Sequence, residues 1–212
     1  MTGVTKVLLV DDHAVVREGY RRLLEDEPGI RVIGEASHAV QACECARALA
    51  PDVVVMDIAL PGSSGIEATR RMLKDQPALR VLMFSMYDDA IYASRALEAG
   101  ALGFLSKSSA PEVLVRAIHA VARGERYLSA DVATNMARSA VQPGTPGLEA
   151  LTPREFEVLR LLVQGETVRS ISDKLALSEK TVANHQSAIR EKLGARNSAQ
   201  LARLAAQLNV SV

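Results

Sequence analysis

The sequence predicts a doubly wound α/β domain with a five-stranded parallel sheet, followed by a small all-α domain of four helices. Three observations carry this expectation. Five short apolar runs alternate with amphipathic stretches from residue 6 to residue 123, the pattern of repeated βα units. The pattern lapses over 137–150, where two prolines and two glycines fall close together as in a linker. Helical periodicity then resumes, with helix-turn-helix spacing.

The strand candidates are 6–10, 31–35, 53–57, 80–84 and 102–105. They are continuously apolar rather than alternating, which suits parallel strands covered on both faces. The helical candidates between them are 14–25, 39–49, 64–75, 88–99 and 111–123. Gly100 and Gly124 stand where helices should stop, and Pro111 sits where a first helical turn tolerates it. A short helix over 129–137 leads into the linker. Thr152-Pro153-Arg154-Glu155 is a capping box with proline at the first helical position, opening a helix that runs to Gln164 before Gly165. A short helix over 168–175 places Val168, Ile171 and Leu175 on one face. Ser178 caps a third helix, 179–193, with Val182, Ile189 and Leu193 on one face. A fourth, over 197–208, repeats Leu201, Leu204, Ala205 and Leu208.

The 212 residues are 48% hydrophobic and 24% charged, ordinary values for a globular protein. No run is long enough to span a membrane, and the N-terminus enters a strand pattern without a signal-peptide layout, so a cytoplasmic location is expected. Cys43 and Cys45 lie two apart on a helix with no histidine near in sequence, which reads as two ordinary thiols in a reducing compartment. The net charge of zero conceals a division. Residues 1–150 carry 16 basic and 19 acidic side chains, whereas 151–212 carry 9 and 6. A mildly basic C-terminal piece suits an anionic partner.

Polar groups stand where four of the apolar runs end: Asp11-Asp12, Asp57, Ser85 and, one residue beyond its run, Lys107. In a parallel sheet these collect at the carboxyl edge, where open α/β sheets bind ligands. Three carboxylates at short range are unfavourable unless a cation joins them, and hard oxygen donors suit Mg²⁺. A carboxylate can also act as a nucleophile and form an aspartyl-phosphate. Asp57 is the candidate, because it ends the central strand beside the tight loop Pro61-Gly62-Ser63-Ser64-Gly65. Lys107 would offset charge on phosphoryl oxygens, and Ser85 would donate a hydrogen bond to one of them. Taken singly, each of these residues is as readily a turn, a cap or a solvated side chain; their joint occurrence raises the expectation.

Residues 4–123 resemble the receiver domain of two-component response regulators, through Val-Asp-Asp at 10–12, Met-Asp-Ile at 56–58 followed by Pro61-Gly62, Phe-Ser at 84–85, and Lys107 within Gly103-Phe-Leu-Ser-Lys. The resemblance implies a flavodoxin-like fold with strand order 2-1-3-4-5. It implies that Asp57 accepts a phosphoryl group from a sensor histidine kinase or a small phosphodonor. Asp12, Asp57 and the backbone carbonyl of Ala59 would bind Mg²⁺ directly, with Asp11 helping through water. Ser85 would be the switch hydroxyl, and Phe104 the aromatic switch residue that turns inward on phosphorylation. Ala59 and Tyr87 occupy positions thought to tune the access of water to the phosphoryl group. With no carboxamide or carboxylate there to position a water, slow self-dephosphorylation is expected.

Residues 151–208 resemble the output domain of the NarL/FixJ (LuxR-type) regulators, through Leu151-Thr-Pro-Arg-Glu155, Val158-Leu159, Ile171-Ser-Asp-Lys-Leu175, Leu177-Ser-Glu-Lys-Thr-Val182 and Asn184-His185. The helix at 179–193 would enter the major groove of DNA. Lys180, Thr181 and Arg190 suit phosphate oxygens, and Asn184 and Ser187 can reach base edges. Ala183 could touch a thymine methyl. His185 could bind a phosphate or could equally be a packed or solvated helix residue. Taken singly, Lys180, Lys192 and Arg190 are as readily members of a solvated charged face.

The chain thus divides into a receiver domain over 1–124, a connecting helix and flexible linker over 125–150, and a LuxR-type helix-turn-helix DNA-binding domain over 151–212. The expected function is a phosphorylation-dependent transcription regulator that binds double-stranded promoter DNA as a homodimer when active. One rival is a Mg²⁺-dependent phosphohydrolase, which would need a second acid where this chain has Ala59. The other is a DNA-binding protein whose receiver is never phosphorylated, against which the intact polar set argues.

Overall fold

The computed structural model describes residues 3–61, 63–86, 90–141, 148, 150–175, 177–195 and 200–201. The chain forms two compact units, Met1–Arg138 and Ser139–Val212.

The first unit alternates strands and helices: β1 (Thr5–Val10), α1 (Ala14–Glu25), β2 (Ile30–Ala36), α2 (Ala39–Leu49), β3 (Val53–Met56), α3 (Gly65–Asp75), β4 (Arg80–Ser85), α4 (Ala90–Glu98), β5 (Gly103–Ser106) and α5 (Pro111–Ala122). A short β6 (Tyr127–Leu128) and α6 (Ala130–Val141) complete the described elements before the linker. All strand pairs are parallel, in the order β2-β1-β3-β4-β5-β6. The five strands expected from the sequence are present, but the sheet has six. Tyr127 N–H donates to the Leu102 carbonyl at 3.1 Å and Ser129 N–H to the Phe104 carbonyl at 3.2 Å, so two residues of the expected connector add themselves to the edge of β5. A strand of two residues has no periodicity for a sequence to display.

Both sheet faces are covered, which explains the continuous apolar runs. All of β3 is buried: Val53 and Val55 join one core with Val7, Leu9, Leu82, Phe84 and Leu105 under α1 and α5, and Val54 and Met56 are buried on the opposite face. Each such side chain contributes about 1.5–3 kcal/mol by leaving water. Cys43 and Cys45 are free and half-buried, and burial pushes the Cys43 thiol up. No helix among the described residues is long and apolar enough to cross a membrane.

The second unit contains α7 (Pro153–Val163), α8 (Val168–Leu175) and α9 (Glu179–Leu193). The capping box forms as the sequence requires: the Thr152 hydroxyl accepts from Glu155 N–H, and the Glu155 carboxylate accepts from Thr152 N–H. Ser178 caps α9 by accepting from Thr181 N–H, and Gly194 ends it in the left-handed conformation. Phe156, Val158, Leu159, Ile171, Val182 and Ile189 are fully buried and make the small core. Of the fourth helix expected over 197–208, Gln200 and Leu201 are helical, with Leu201 buried. The rest of that helix, residues 142–147 and 149 of the linker, Gly62 and Tyr87 lie outside the described residues.

Candidate functional site

The parallel register builds the site. Val10 pairs with Met56 and Met56 with Met83, so the next residues of β1 and β3, Asp11 and Asp57, emerge side by side at the carboxyl edge. Ser85 pairs with Ser106 at the ends of β4 and β5, and Lys107 follows directly. Lys107 N–H donates to the Ser85 carbonyl at 2.7 Å, which fixes the start of the lysine's loop.

The Lys107 ammonium then reaches across the edge. Its Nζ lies 2.6 Å from Asp11 Oδ2 and 2.5 Å from Asp57 Oδ2, with all three side chains at most 7% exposed. One buried cation therefore faces two buried anions. Burial pushes the Asp57 carboxyl above its ordinary value, and Lys107 offsets only part of that. Burial works against the Lys107 charge too, but Asp57 and Asp11 together hold it firmly protonated. The sequence assigned Lys107 to phosphoryl oxygens; in this structure it bridges the carboxylates.

Asp12 and Ala59 complete the rim. Asp12 Oδ1 is buried and lies 2.7 Å from His13 Nδ1, with no hydrogen-bond donor aligned on it. Ala59 N–H donates to Asp57 Oδ1 at 3.3 Å. His13 was not among the residues expected here. Asp11, Asp12, His13 and Asp57 each offer a ligand atom, all within 4.8 Å of one another. The only sequence signal for His13 is that it directly follows the aspartate pair.

The loop after Asp57 folds back tightly. Gly65 N–H donates to the Ile58 carbonyl at 2.8 Å, and a Cβ on Gly65 would fall 1.8 Å from the Asp57 carbonyl oxygen. Only glycine lets α3 begin this close to the Asp57 backbone. Ser85 and Phe104 are fully buried, the ring of Phe104 lying inside the fold. Tyr20 of α1 meets Phe84 edge-on at 4.7 Å between ring centroids, and Lys107 Nζ stands 5.9 Å from the Phe84 centroid.

In the second unit, Lys180, Ala183, Asn184 and Ser187 are exposed on α9, and Thr181, His185 and Arg190 are half-buried. The Ser187 hydroxyl donates to the Ala183 carbonyl at 3.0 Å, Thr181 and Ser178 share a hydrogen bond of 2.8 Å, and Arg190 Nε donates to the Gln186 carbonyl at 3.3 Å. Burial, and then the Arg154 charge, pull the His185 pKa down, so its imidazole is neutral at pH 7. Lys192 does not stand on a purely solvated face: its Nζ donates to both oxygens of Glu155, at 2.9 and 2.7 Å.

A parallel sheet gathering three carboxylates and a lysine at its carboxyl edge, on one chain with a capped helix-turn-helix, defines a receiver coupled to a DNA-reading effector. Known proteins agree. Residues 7–119 match the response regulator receiver domain family, and residues 149–205 match the luxR family of bacterial regulatory proteins. Response regulator UvrY of Escherichia coli K12 is 39% identical over 201 residues, covering 94% of this chain and 92% of UvrY. Response regulator GacA of Pseudomonas aeruginosa is 39% identical over 203 residues, 94% of each chain. RcsB from Salmonella enterica serovar Typhimurium, bound to the promoter P1flhDC in the presence of the phosphomimetic BeF3⁻, superposes with a TM-score of 0.67 at 27% identity, over 99% of this chain and 100% of that one.

The chain belongs to the NarL/FixJ family of response regulators, with a receiver domain and a LuxR-type helix-turn-helix. It is a phosphorylation-dependent, DNA-binding transcriptional regulator of a two-component system.

Proposed function

We propose that Asp57 accepts the phosphoryl group and that the C-terminal unit reads promoter DNA in response. The observation that carries this is the buried set of one ammonium against two carboxylates at the sheet's carboxyl edge. The Asp57 carboxylate attacks phosphorus, an O–P bond forms, and the N–P bond to the phosphohistidine of a sensor histidine kinase breaks, leaving the imidazole. In this reading Lys107 turns from the carboxylates to a phosphoryl oxygen, and Ser85 donates a hydrogen bond to another. Phe104 is the switch ring.

The donor set suits Mg²⁺: the site offers hard carboxylate oxygens, and Asp12 Oδ1 is buried without an aligned donor. Asp11, Asp12, Asp57 and the backbone carbonyl of Ala59 would hold the ion, which would neutralise the cluster and screen the incoming phosphoryl oxygens. The chain turns over no external substrate. Ala59 offers no carboxamide or carboxylate to orient a water, so self-dephosphorylation is slow.

On α9, Lys180, Thr181 and Arg190 contact phosphates, Asn184 and Ser187 read base edges, and Ala183 meets a thymine methyl. His185, neutral at pH 7, approaches the backbone as a hydrogen-bonding group. The active form is a homodimer on promoter DNA in the cytoplasm, with no membrane partner. The receiver spans 1–124, the connecting helix and flexible linker 125–150, and the DNA-binding domain 151–212.

The test is the intact mass after incubation with Mg²⁺ and acetyl phosphate. One phosphoryl adduct is expected, absent from Asp57→Asn and long-lived in the wild type. An adduct that survives in Asp57→Asn would refute the assignment. Footprinting on promoter DNA with and without phosphorylation then tests the coupling.

A further inference from the structure

Asp11 is held at four points, and three belong to the site already described or to the sheet. Its N–H donates to the Ala36 carbonyl at 3.1 Å, its Oδ1 accepts from His13 N–H at 2.8 Å, and its Oδ2 accepts from Lys107 at 2.6 Å. The fourth is Arg17, in the first turns of α1, whose Nη1 donates to the Asp11 backbone carbonyl at 2.5 Å. The same guanidinium donates through Nε to Glu35 Oε2 at 2.8 Å, at the end of β2, and Arg17 is only 17% exposed. Arg21 lies 3.4 Å from the other Glu35 oxygen. A chain of charge-assisted hydrogen bonds thus runs from β2 through α1 to the peptide joining Asp11 to Asp12.

That peptide matters because it places the Asp12 Cα, from which the carboxylate reaches into the cluster. His13 Nδ1 lies 2.7 Å from the buried Asp12 Oδ1, but without hydrogen-bond alignment. The point from which the Asp12 side chain starts follows from the preceding peptide, and the oxygen of that peptide is the one Arg17 grips. A guanidinium makes two bonds at once in a fixed plane, which a lysine cannot reproduce.

We infer that Arg17, oriented by Glu35, is a positioning residue for cation binding at the Asp11–Asp12–Asp57 cluster, acting through the Asp11–Asp12 peptide. The inference rests on the reading of that cluster as a Mg²⁺ site. Groups that orient ligands without touching the metal typically change affinity by about 10–100-fold when removed.

The experiment is a Mg²⁺ titration of the full-length, unphosphorylated protein by calorimetry, with Mn²⁺ followed by electron paramagnetic resonance, no phosphodonor being present. Arg17→Gln should weaken binding by about tenfold or more. Glu35→Ala should weaken it less, and Arg17→Lys should recover part of the loss. Arg22→Gln, the same charge change on the exposed side of α1, should leave affinity unchanged. With acetyl phosphate, the Mg²⁺ concentration for half-maximal labelling should rise in Arg17→Gln, and the rate at saturating Mg²⁺ should return to the wild-type value. Thermal melts identify any variant that fails to fold, in which case Arg17→Lys and Glu35→Ala decide. Wild-type affinity in Arg17→Gln, or an equal loss in Arg22→Gln, overturns the positioning role while leaving the Mg²⁺ site standing. A wild-type protein that binds neither ion overturns the site and the inference together.

Discussion

Replacing Lys107 with methionine keeps most of the side chain's length and removes its charge. Asp11 and Asp57, 7% and 5% exposed, would then face each other as buried anions without their shared cation. Removing one partner from a buried ion pair costs about 3–5 kcal/mol, mostly because the remaining charge stays desolvated. For a unit the size of Met1–Arg138, each kcal/mol moves the midpoint by roughly 3 °C, so the receiver should melt about 10–15 °C earlier at pH 7.5 in chelator. The sign of the pH dependence follows from Asp57. Its carboxyl is already raised by burial, and loss of the ammonium raises it further. A raised folded pKa gives stability that is present below the unfolded value and lost as pH rises through the folded one. The deficit of Lys107→Met should therefore narrow as pH falls. Mg²⁺ at about a hundred times its Kd should return roughly 2.7 kcal/mol to the variant, and less to the wild type, where it competes with Lys107. Scanning calorimetry of the full-length protein reads all three effects. A deficit under about 1 kcal/mol that responds to neither pH nor Mg²⁺ would refute the claim that Lys107 neutralises the pair.

Gly65→Ala should cost about 3 kcal/mol in denaturant unfolding and slow acetyl phosphate labelling, because the new methyl meets the Asp57 backbone rather than a yielding side chain; wild-type stability would show that α3 can shift freely. Lys192→Gln should weaken DNA binding without changing its salt dependence, whereas Lys180→Gln should lower the slope of log K against log salt by about 0.9, the signature of one lost phosphate contact. A lowered slope for Lys192→Gln would make that lysine a DNA contact. The depressed His185 pKa means stability is present above its unfolded value and lost as pH falls through the folded value. Acid melts of the full chain should show that loss in the C-terminal unit, and His185→Gln should flatten it.

The strands and helices of the receiver were legible because their signals are local. Continuous apolar runs marked buried parallel strands, and Gly100, Gly124 and, in the second unit, Ser178 and the Thr152–Glu155 box marked helix ends. The carboxyl-edge residues were legible as a group, since parallel strands must deliver their C-terminal neighbours to one edge. What the sequence did not display depends on partners far along the chain. Lys192 meets Glu155 across 37 positions, and Lys107 meets Asp11 across 96, with no pattern to announce either pairing. Arg17 carries no local signal of its contacts, because its carbonyl partner lies just before the helix and its carboxylate partner on β2. The site's tightness at Gly65 was visible as a small-residue loop, but not the closeness of the backbone it permits.

The two-residue strand β6 gives the receiver's exit a fixed anchorage. Leu128 lies in register with Phe104, and Ser129 N–H is fastened to the Phe104 carbonyl. The chain thus leaves the sheet beside the ring assigned to switching, three positions upstream of the lysine that grips Asp57. Whatever displaces the main chain at residue 104 also displaces the first rung of the outgoing segment, without any side chain having to relay it. The connector begins as a needle clipped to the dial.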